Sequence, residues 1–430
     1  MGKSRRFYSL FAAVLAGVSL AGCAQTSPGA PESATRPAAG AKTADLMANI
    51  TPGAVKTASA DDKFTQAMAG FSVDLFKQVA DGKKNCLVSP LSAELALAMA
   101  ANGACGQTLS QMEKVLGGGM AVDKLNAVLP AFVKNLPSTD KAKFHFADSI
   151  WCNSAKGVNI KKDFLQANAD YYGAGLFSAP FSGQTVKDIN AWVKEHTDGM
   201  IPSLVDSLDP GKEAAVLLNA LAFDAEWAVP YMDNQVQSGQ FTSAAGKKQT
   251  VDFMGSGEST YLDDGKATGF TKSYANDTYR FVALLPNQGV SMEDYLKSLT
   301  GAKLMDTLQN AQSRSVNASL PKFSFSYSAT LNNALKAMGM QAAFSPSAAD
   351  FSKMGTMDGA PLYIDQVLQK TFIDVTPMGT RAGAATAVMM AAGAAMSPKT
   401  VKLDRPFVFA IVDGATNLPL FLGVVNSVGE

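Results

Sequence analysis

Histidine is scarce in this chain. His145 and His196 are the only two among 430 residues, and histidine is the usual general base for a serine nucleophile and a common metal ligand. A Ser-His hydrolase and a His-rich metal centre are disfavoured from the start. Net charge is lacking too: 37 Lys and Arg balance 37 Asp and Glu. No overall field draws the protein to nucleic acid or an anionic surface, and no nucleic-acid partner is expected. Cysteines number four, Cys23, Cys86, Cys105 and Cys152, with no CxxC pair. Beyond Cys23 an odd number remains, so one intramolecular disulfide at most can form, and all three read as small buried hydrophobes. Neither a P-loop nor a G-x-S-x-G motif occurs. Ser138-x-x-Lys141 lacks the SDN and KTG partners of a penicillin-binding serine, and Gly255-Ser256-Gly257 reads as a turn. No enzymatic activity, metal or cofactor is expected from this inventory.

Apolar surface, in contrast, is ample. Hydrophobic residues make up 47% of the chain and aromatics 9%, enough for a large core. Lys3, Arg5 and Arg6 form a basic start, Phe7 to Leu20 an apolar run, and small residues lead into Cys23. This is the pattern of an export signal. Leu20-Ala21-Gly22-Cys23 resembles a bacterial lipobox, which implies removal of residues 1–22 and acylation of Cys23. The alternatives are an ordinary cleaved signal or a short membrane anchor. The small residues directly before the cysteine and the shortness of the run favour the lipobox. The expected location is outside the cytoplasm, lipid-anchored to the cell envelope on its periplasmic or cell-surface face. Residues 23–60 are rich in Ala, Pro, Thr, Ser and Gly, which predicts a flexible linker. The folded body is expected over 61–430, without internal linker or repeat.

Phe64, Met68, Phe71, Leu75 and Phe76 recur at helical spacing from Asp61 onward. Further helices are predicted at Ser92 to Ala101, Leu109 to Leu116 and Val186 to His196. Strands are predicted at Ala215 to Phe223, Arg280 to Leu285, Phe323 to Tyr327, Leu362 to Val375, Pro406 to Val412 and Pro419 to Val425. Helices concentrate in the first half and strands in the second, the order of an α+β fold. Between two strand signals lies Gly379 to Pro398, which has no bulky side chain except Arg381 and its methionines. By itself it reads as an Ala-rich helix or a low-complexity loop. A long segment in that position of a compact domain is usually functional.

Several stretches resemble the serpin family. Asn85-Cys-Leu-Val-Ser89-Pro90-Leu-Ser92 is similar to the entry into the family's second helix. Asp188-Ile-Asn-Ala-Trp192-Val with Thr197-Asp-Gly-Met-Ile201, and Leu217-Leu-Asn219-Ala-Leu-Ala-Phe223 ending at Trp227, follow in the family's order. So do Pro321-Lys-Phe, Leu335-Lys-Ala-Met-Gly339, Ala343-Phe344-Ser, Asp350-Phe351-Ser, Lys370-Thr-Phe-Ile-Asp-Val375, Gly379-Thr380, Arg405-Pro406-Phe407 and Pro419-Leu-Phe-Leu-Gly423. The resemblance spans Asp61 to Val425. It implies three β-sheets, about eight or nine helices and an exposed reactive-centre loop. It places Ser89, Ser92 and Asn219 in a polar cluster beneath the main sheet and Trp227 near the top of its opening. Two departures stand out: Pro377 and Met378 replace an acidic pair, and Gln369 stands where the family usually has histidine. Pro377, lacking an N–H, is expected to weaken one ladder bond.

The resemblance further implies a monomeric suicide substrate of serine proteases: a protease cleaves the loop, and the loop then inserts as a strand and traps the acyl-enzyme. The residues test that implication. An inserting strand turns alternate side chains inward, so one parity must carry no charge. Thr380, Ala382, Ala384, Thr386, Val388, Met390 and Ala392 satisfy this. Arg381 falls on the other parity, as does Ala385. Gly379 and Gly383 permit bending, and no proline interrupts the stretch before Ser397. For the scissile bond, counting forward from Gly379 points to Gly393 and counting back from Pro406 points to Ala395. Ala394 lies between them, and Met396-Ser397 is a third candidate. All are small or apolar, which implies an elastase-, chymotrypsin- or subtilisin-like target. The alternative is a non-inhibitory serpin acting as a surface binding or chaperone module.

Overall fold

The computed structural model describes residues 42–380 and 397–429. The first long helix, α1 (Asp62–Val79), starts where the Asp61 carboxylate accepts the Phe64 N–H at 2.8 Å, and it buries Phe64, Met68, Phe71, Leu75 and Phe76. An N-cap of this kind is worth about 1 kcal/mol. The second, α2 (Pro90–Ala101), opens on the Ser89 side chain with proline in its first turn and is buried around its whole circumference. A helix with no wet face belongs inside the molecule, and α2 runs beneath the main sheet.

That sheet has seven strands: β1 (Ala44–Asp45), β2 (Ala142–Asn153), β3 (Gly175–Ala179), β4 (Ala215–Glu226), β5 (Phe323–Thr330), β6 (Gln366–Val375) and β7 (Gly379–Thr380). They lie in the order β1-β3-β2-β4-β7-β6-β5. In the central strand β4, every residue from Ala215 to Phe223 is buried. One face, with Leu217, Leu221 and Phe223, joins the core that contains α2. The other, with Val216, Leu218, Ala220 and Ala222, packs with Ile189 and Val193 of the helix Gly183–His196. Covering both faces explains the nearly unbroken apolar run. A nine-stranded sheet carries the C-terminal pair Phe407–Asp413 and Pro419–Val425, and a three-stranded one joins Val158–Ile160, Gly355–Met357 and Ala360–Pro361. With nine α-helices among the described residues, the α+β class and three-sheet architecture are as expected.

Four expectations need correction. The linker does not extend to residue 60. Ala44 and Asp45 pair with Ser178 and Phe177 at the sheet edge. The Leu46 N–H donates to the Leu176 carbonyl at 2.9 Å, that of Gly53 to Asp170 Oδ1 at 2.6 Å and that of Ala58 to the Ala127 carbonyl at 2.9 Å. Backbone bonds to an open edge need no apolar periodicity, so composition does not reveal them. The strand expected from Leu362 starts at Gln366, because Asp365 instead turns its carboxylate to the N–H groups of Ala214 and Ala215. Gly255-Ser256-Gly257 is no turn. It lies within the strand Lys248–Asp263, paired with Ser319, Ala318 and Asn317. The division into a helical half and a strand half is incomplete, since β2 falls early and the helices Met292–Ser298, Gly301–Gln309 and Asn332–Met338 fall late.

Candidate functional site

β4 and β6 run parallel, pairing directly from Val216 with Gln366 to Leu221 with Thr371. Beyond Leu221 and Thr371 another piece of chain comes between them. The chain leaves β6 at Val375, turns through Thr376 to Met378, and returns as β7. Thr380 then pairs with Ala225 of β4 and Val375 of β6, and Gly379 with Glu226. Thr376 and Gly379 close the turn with reciprocal backbone bonds of 2.9 and 3.3 Å. Pro377 sits in this turn, outside the ladder, where a missing N–H leaves no partner unmet, so the weakened ladder bond expected from sequence does not arise. Its carbonyl accepts the Tyr231 N–H at 2.8 Å.

Trp227 fastens the same turn. Its indole Nε1–H donates to the Thr376 carbonyl at 2.9 Å and its backbone N–H to the Met378 carbonyl at 2.9 Å. The ring stacks on Tyr274 with centroids 4.5 Å apart. The Tyr274 hydroxyl and the Thr380 hydroxyl share a hydrogen bond of 2.6 Å, and the two residues are 0% and 1% exposed. Against this group lies the ion pair of the buried Lys272 with the partly buried Glu258, 3.2 Å apart, with the ammonium 4.4 Å from the centre of the Tyr231 ring.

Further down the sheet, Ser89, Ser92 and Asn219 come together, with Asp148, Gln369 and Thr371 joining them. The Asn219 amide donates to Ser92 Oγ at 2.6 Å and to Asp148 Oδ1 at 2.8 Å, and the Ser92 hydroxyl donates to Asp148 Oδ1 at 2.9 Å. The Gln369 amide exchanges bonds of 3.0 and 2.8 Å with the Ser89 backbone and donates to Asn219 Oδ1 at 2.5 Å. The Thr371 hydroxyl reaches the Leu87 carbonyl at 2.8 Å. Burial pushes the Asp148 carboxyl up to about 8, against the opposing effect of the bonds from Ser92 and Asn219. At neutral pH the cluster is therefore predominantly uncharged. Nearby in sequence, Glu94 is fully buried with no hydrogen-bond partner among the described residues for either carboxylate oxygen, and burial raises its pKa well above the usual range.

Ser92, whose hydroxyl is bonded to the Asp148 carboxyl, is completely buried. The cluster ties β4 to β6 and both to the start of α2. A strand entering between β4 and β6 must break the Gln369–Asn219 bond. Of the other residues singled out from sequence, Cys23, Ala382, Ala384, Ala385, Thr386, Gly393, Ala394, Ala395 and Met396 lie outside the described residues. The Ser397 carbonyl accepts from Arg314 at 3.3 Å, and Lys399–Lys402 then pairs in parallel with Val316–Ser319. Cys86, Cys105 and Cys152 are free thiols. Sequence reasoning missed Asp148, Thr371 and Tyr274. A lone acid on the strand parity of Phe144, Phe146, Ile150 and Cys152 was the one available signal for Asp148.

The family model described as "Serpin (serine protease inhibitor)" matches residues 66–428. The leukocyte elastase inhibitor of Equus caballus is 30% identical, over 85% of this chain and 100% of its own. The thermophilic serpin tengpin in its native state matches at 47% identity with a TM-score of 0.86, covering 90% of this chain and 100% of that one. Tengpin in its latent state matches at 44% identity with a TM-score of 0.77, covering 87% and 100%. The higher score against the native form agrees with the arrangement in which β4 and β6 still pair directly below β7. In sequence, in sheet architecture and in the cluster joining its central strands, this chain belongs to the serpin family.

Proposed function

We propose that this protein is a suicide-substrate inhibitor of serine proteases with elastase-, chymotrypsin- or subtilisin-like pockets. A protease cleaves the loop between Gly393 and Ser397, the loop inserts between β4 and β6, and the acylated protease is dragged along. The observation that carries this reading is β7. Gly379 and Thr380 already occupy the gap between β4 and β6, and the residues that follow have the uncharged alternation that a continuing strand needs.

The energy scale is adequate. About a dozen new ladder bonds at roughly 0.5–1.5 kcal/mol each supply on the order of 10 kcal/mol before any apolar burial. Displacing one oxyanion-hole donor costs a protease about 3 kcal/mol of transition-state stabilisation. Nucleophile, base and oxyanion hole all belong to the protease, and this chain supplies the scissile bond. The test is incubation with subtilisin and with pancreatic elastase. A complex that survives SDS, release of a C-terminal fragment beginning between Ala394 and Pro398, and a large rise in melting temperature of the nicked protein are expected. Clean cleavage with no complex and no thermal gain would leave a passive binding role.

A further inference from the structure

We propose that Tyr274 is the positioning residue that seats Thr380 between β4 and β6 and so sets the register and starting point of insertion. This rests on the inhibitor reading for its consequence, but the seating itself does not. Tyr274 is completely buried and its ring is held on two sides, stacked on Trp227 at 4.5 Å and edge-on to Phe223 at 5.0 Å. Its backbone is fixed as well, bridging to Trp227 and closing the hairpin to Tyr279 with a bond of 2.9 Å. The hydroxyl is consequently a fixed point rather than a mobile one. Thr380 Oγ1, 2.6 Å away, is its hydrogen-bond partner.

A buried phenol left without a partner is penalised more than an ordinary hydrogen bond stabilises, because neither water nor protein then satisfies it. Withdrawal of Thr380 from the sheet would leave the Tyr274 hydroxyl in that condition. The backbone pairing of β7 is too short to fix register on its own, since a two-residue strand is readily shifted. The side-chain bond supplies what is missing. A slip by one residue would bring Gly379 or Arg381 opposite Tyr274, and neither offers a hydroxyl. After acylation, insertion competes with hydrolysis of the ester. A hinge already seated in register begins that race with its first step complete. Tyr274 is 0% exposed and out of reach of a docking protease, so its effect falls on the partition between trapping and turnover rather than on the encounter.

The test uses the full-length protein and the variants Tyr274→Phe, Thr380→Val, the double variant and Thr380→Ser, with subtilisin as probe. Loss of the bond should raise the stoichiometry of inhibition about fivefold, the ratio that about 1 kcal/mol gives at about 1.4 kcal/mol per tenfold. The rate of loop cleavage should stay close to that of the parent. The double variant should be no worse than either single one, and Thr380→Ser should behave like the parent. Amide hydrogen exchange of peptides covering Thr376 to Thr380 should accelerate by a similar factor in Phe and Val variants but not in Ser. Unchanged exchange, or single-variant effects that simply multiply in the double variant, would overturn the seating role, as would a lower melting temperature with unchanged stoichiometry. If the parent protein itself is cleaved without trapping subtilisin, the inhibitor reading falls, while the exchange measurement still decides whether Tyr274 seats the hinge.

Discussion

Asp148 faces Asn219 across the pairing of β2 and β4, and its carboxyl makes the stability of this protein depend on pH. In the unfolded chain an aspartate ionises near pH 4, whereas in the folded cluster burial holds its pKa at about 8. The stability associated with Asp148 is thus fully present below pH 4. It declines as the pH rises, because the unfolded state ionises first, and levels off above about pH 8. Asp148→Asn keeps an oxygen acceptor for Ser92 and Asn219 and cannot titrate. Its melting temperature should match the parent at pH 4 and exceed it by several degrees at pH 8, in scans across that range. Glu94, whose pKa is raised by burial in the same sense, stays constant between the two proteins and drops out of the comparison. A gap independent of pH would assign the effect to packing. Asp148 also marks the limit of what sequence reveals at this scale. Ser89, Ser92 and Asn219 were recognisable because they stand in recognisable stretches, but an aspartate in a strand containing Lys143 and His145 resembles a surface residue until its partners are known.

At the level of elements, β7 defines a register that extends beyond itself. Thr380 pairs with Ala225 and Val375 in antiparallel sense, so each residue forward along the loop meets one residue back along both neighbours. On the proposed mechanism Thr386 would arrive between Asn219 and Gln369, where its hydroxyl replaces the bond that those two side chains make with each other. Thr386→Arg would force an unpaired cation into that place, a cost of several kcal/mol. Titration with subtilisin should show a substrate, cleaved at the parent's rate, with no SDS-stable complex and little thermal gain after nicking. Thr386→Ser should still trap. Most elements were legible because their periodicity was strong. The strand Pro419–Val425 and α1 agree with expectation closely. β2 was lost because Lys143, His145 and Asp148 interrupt its apolar run, and the short helices of seven to nine residues in the second half give too few turns for a period to emerge. The pairing of β1 and the seat of Thr380 depend on backbone geometry and on a tyrosine distant in sequence, neither of which leaves a local pattern.

For the whole molecule, the lipobox-like N-terminus and the proposed function together lead to the expectation of an inhibitor held at a membrane. We expect Cys23→Ala to move the protein from the membrane fraction to the soluble one when cells are fractionated, with its capacity to trap subtilisin unchanged, since Cys23 lies outside the family match at residues 66–428. Equal recovery of both forms in the membrane fraction would argue against the lipid. The pairing at Thr380 also sets a distance. β4 extends from the level of Thr380 at Ala225 to its first residue at Ala215, which at about 3.3 Å per residue is a track of about 33 Å. In the same register Met390 would reach the end of that track, leaving only the few residues up to the cleavage site to overhang. A protease still esterified there would be hauled across the full face of the sheet and halted on so short a leash that its catalytic residues must give way before the inhibitor does.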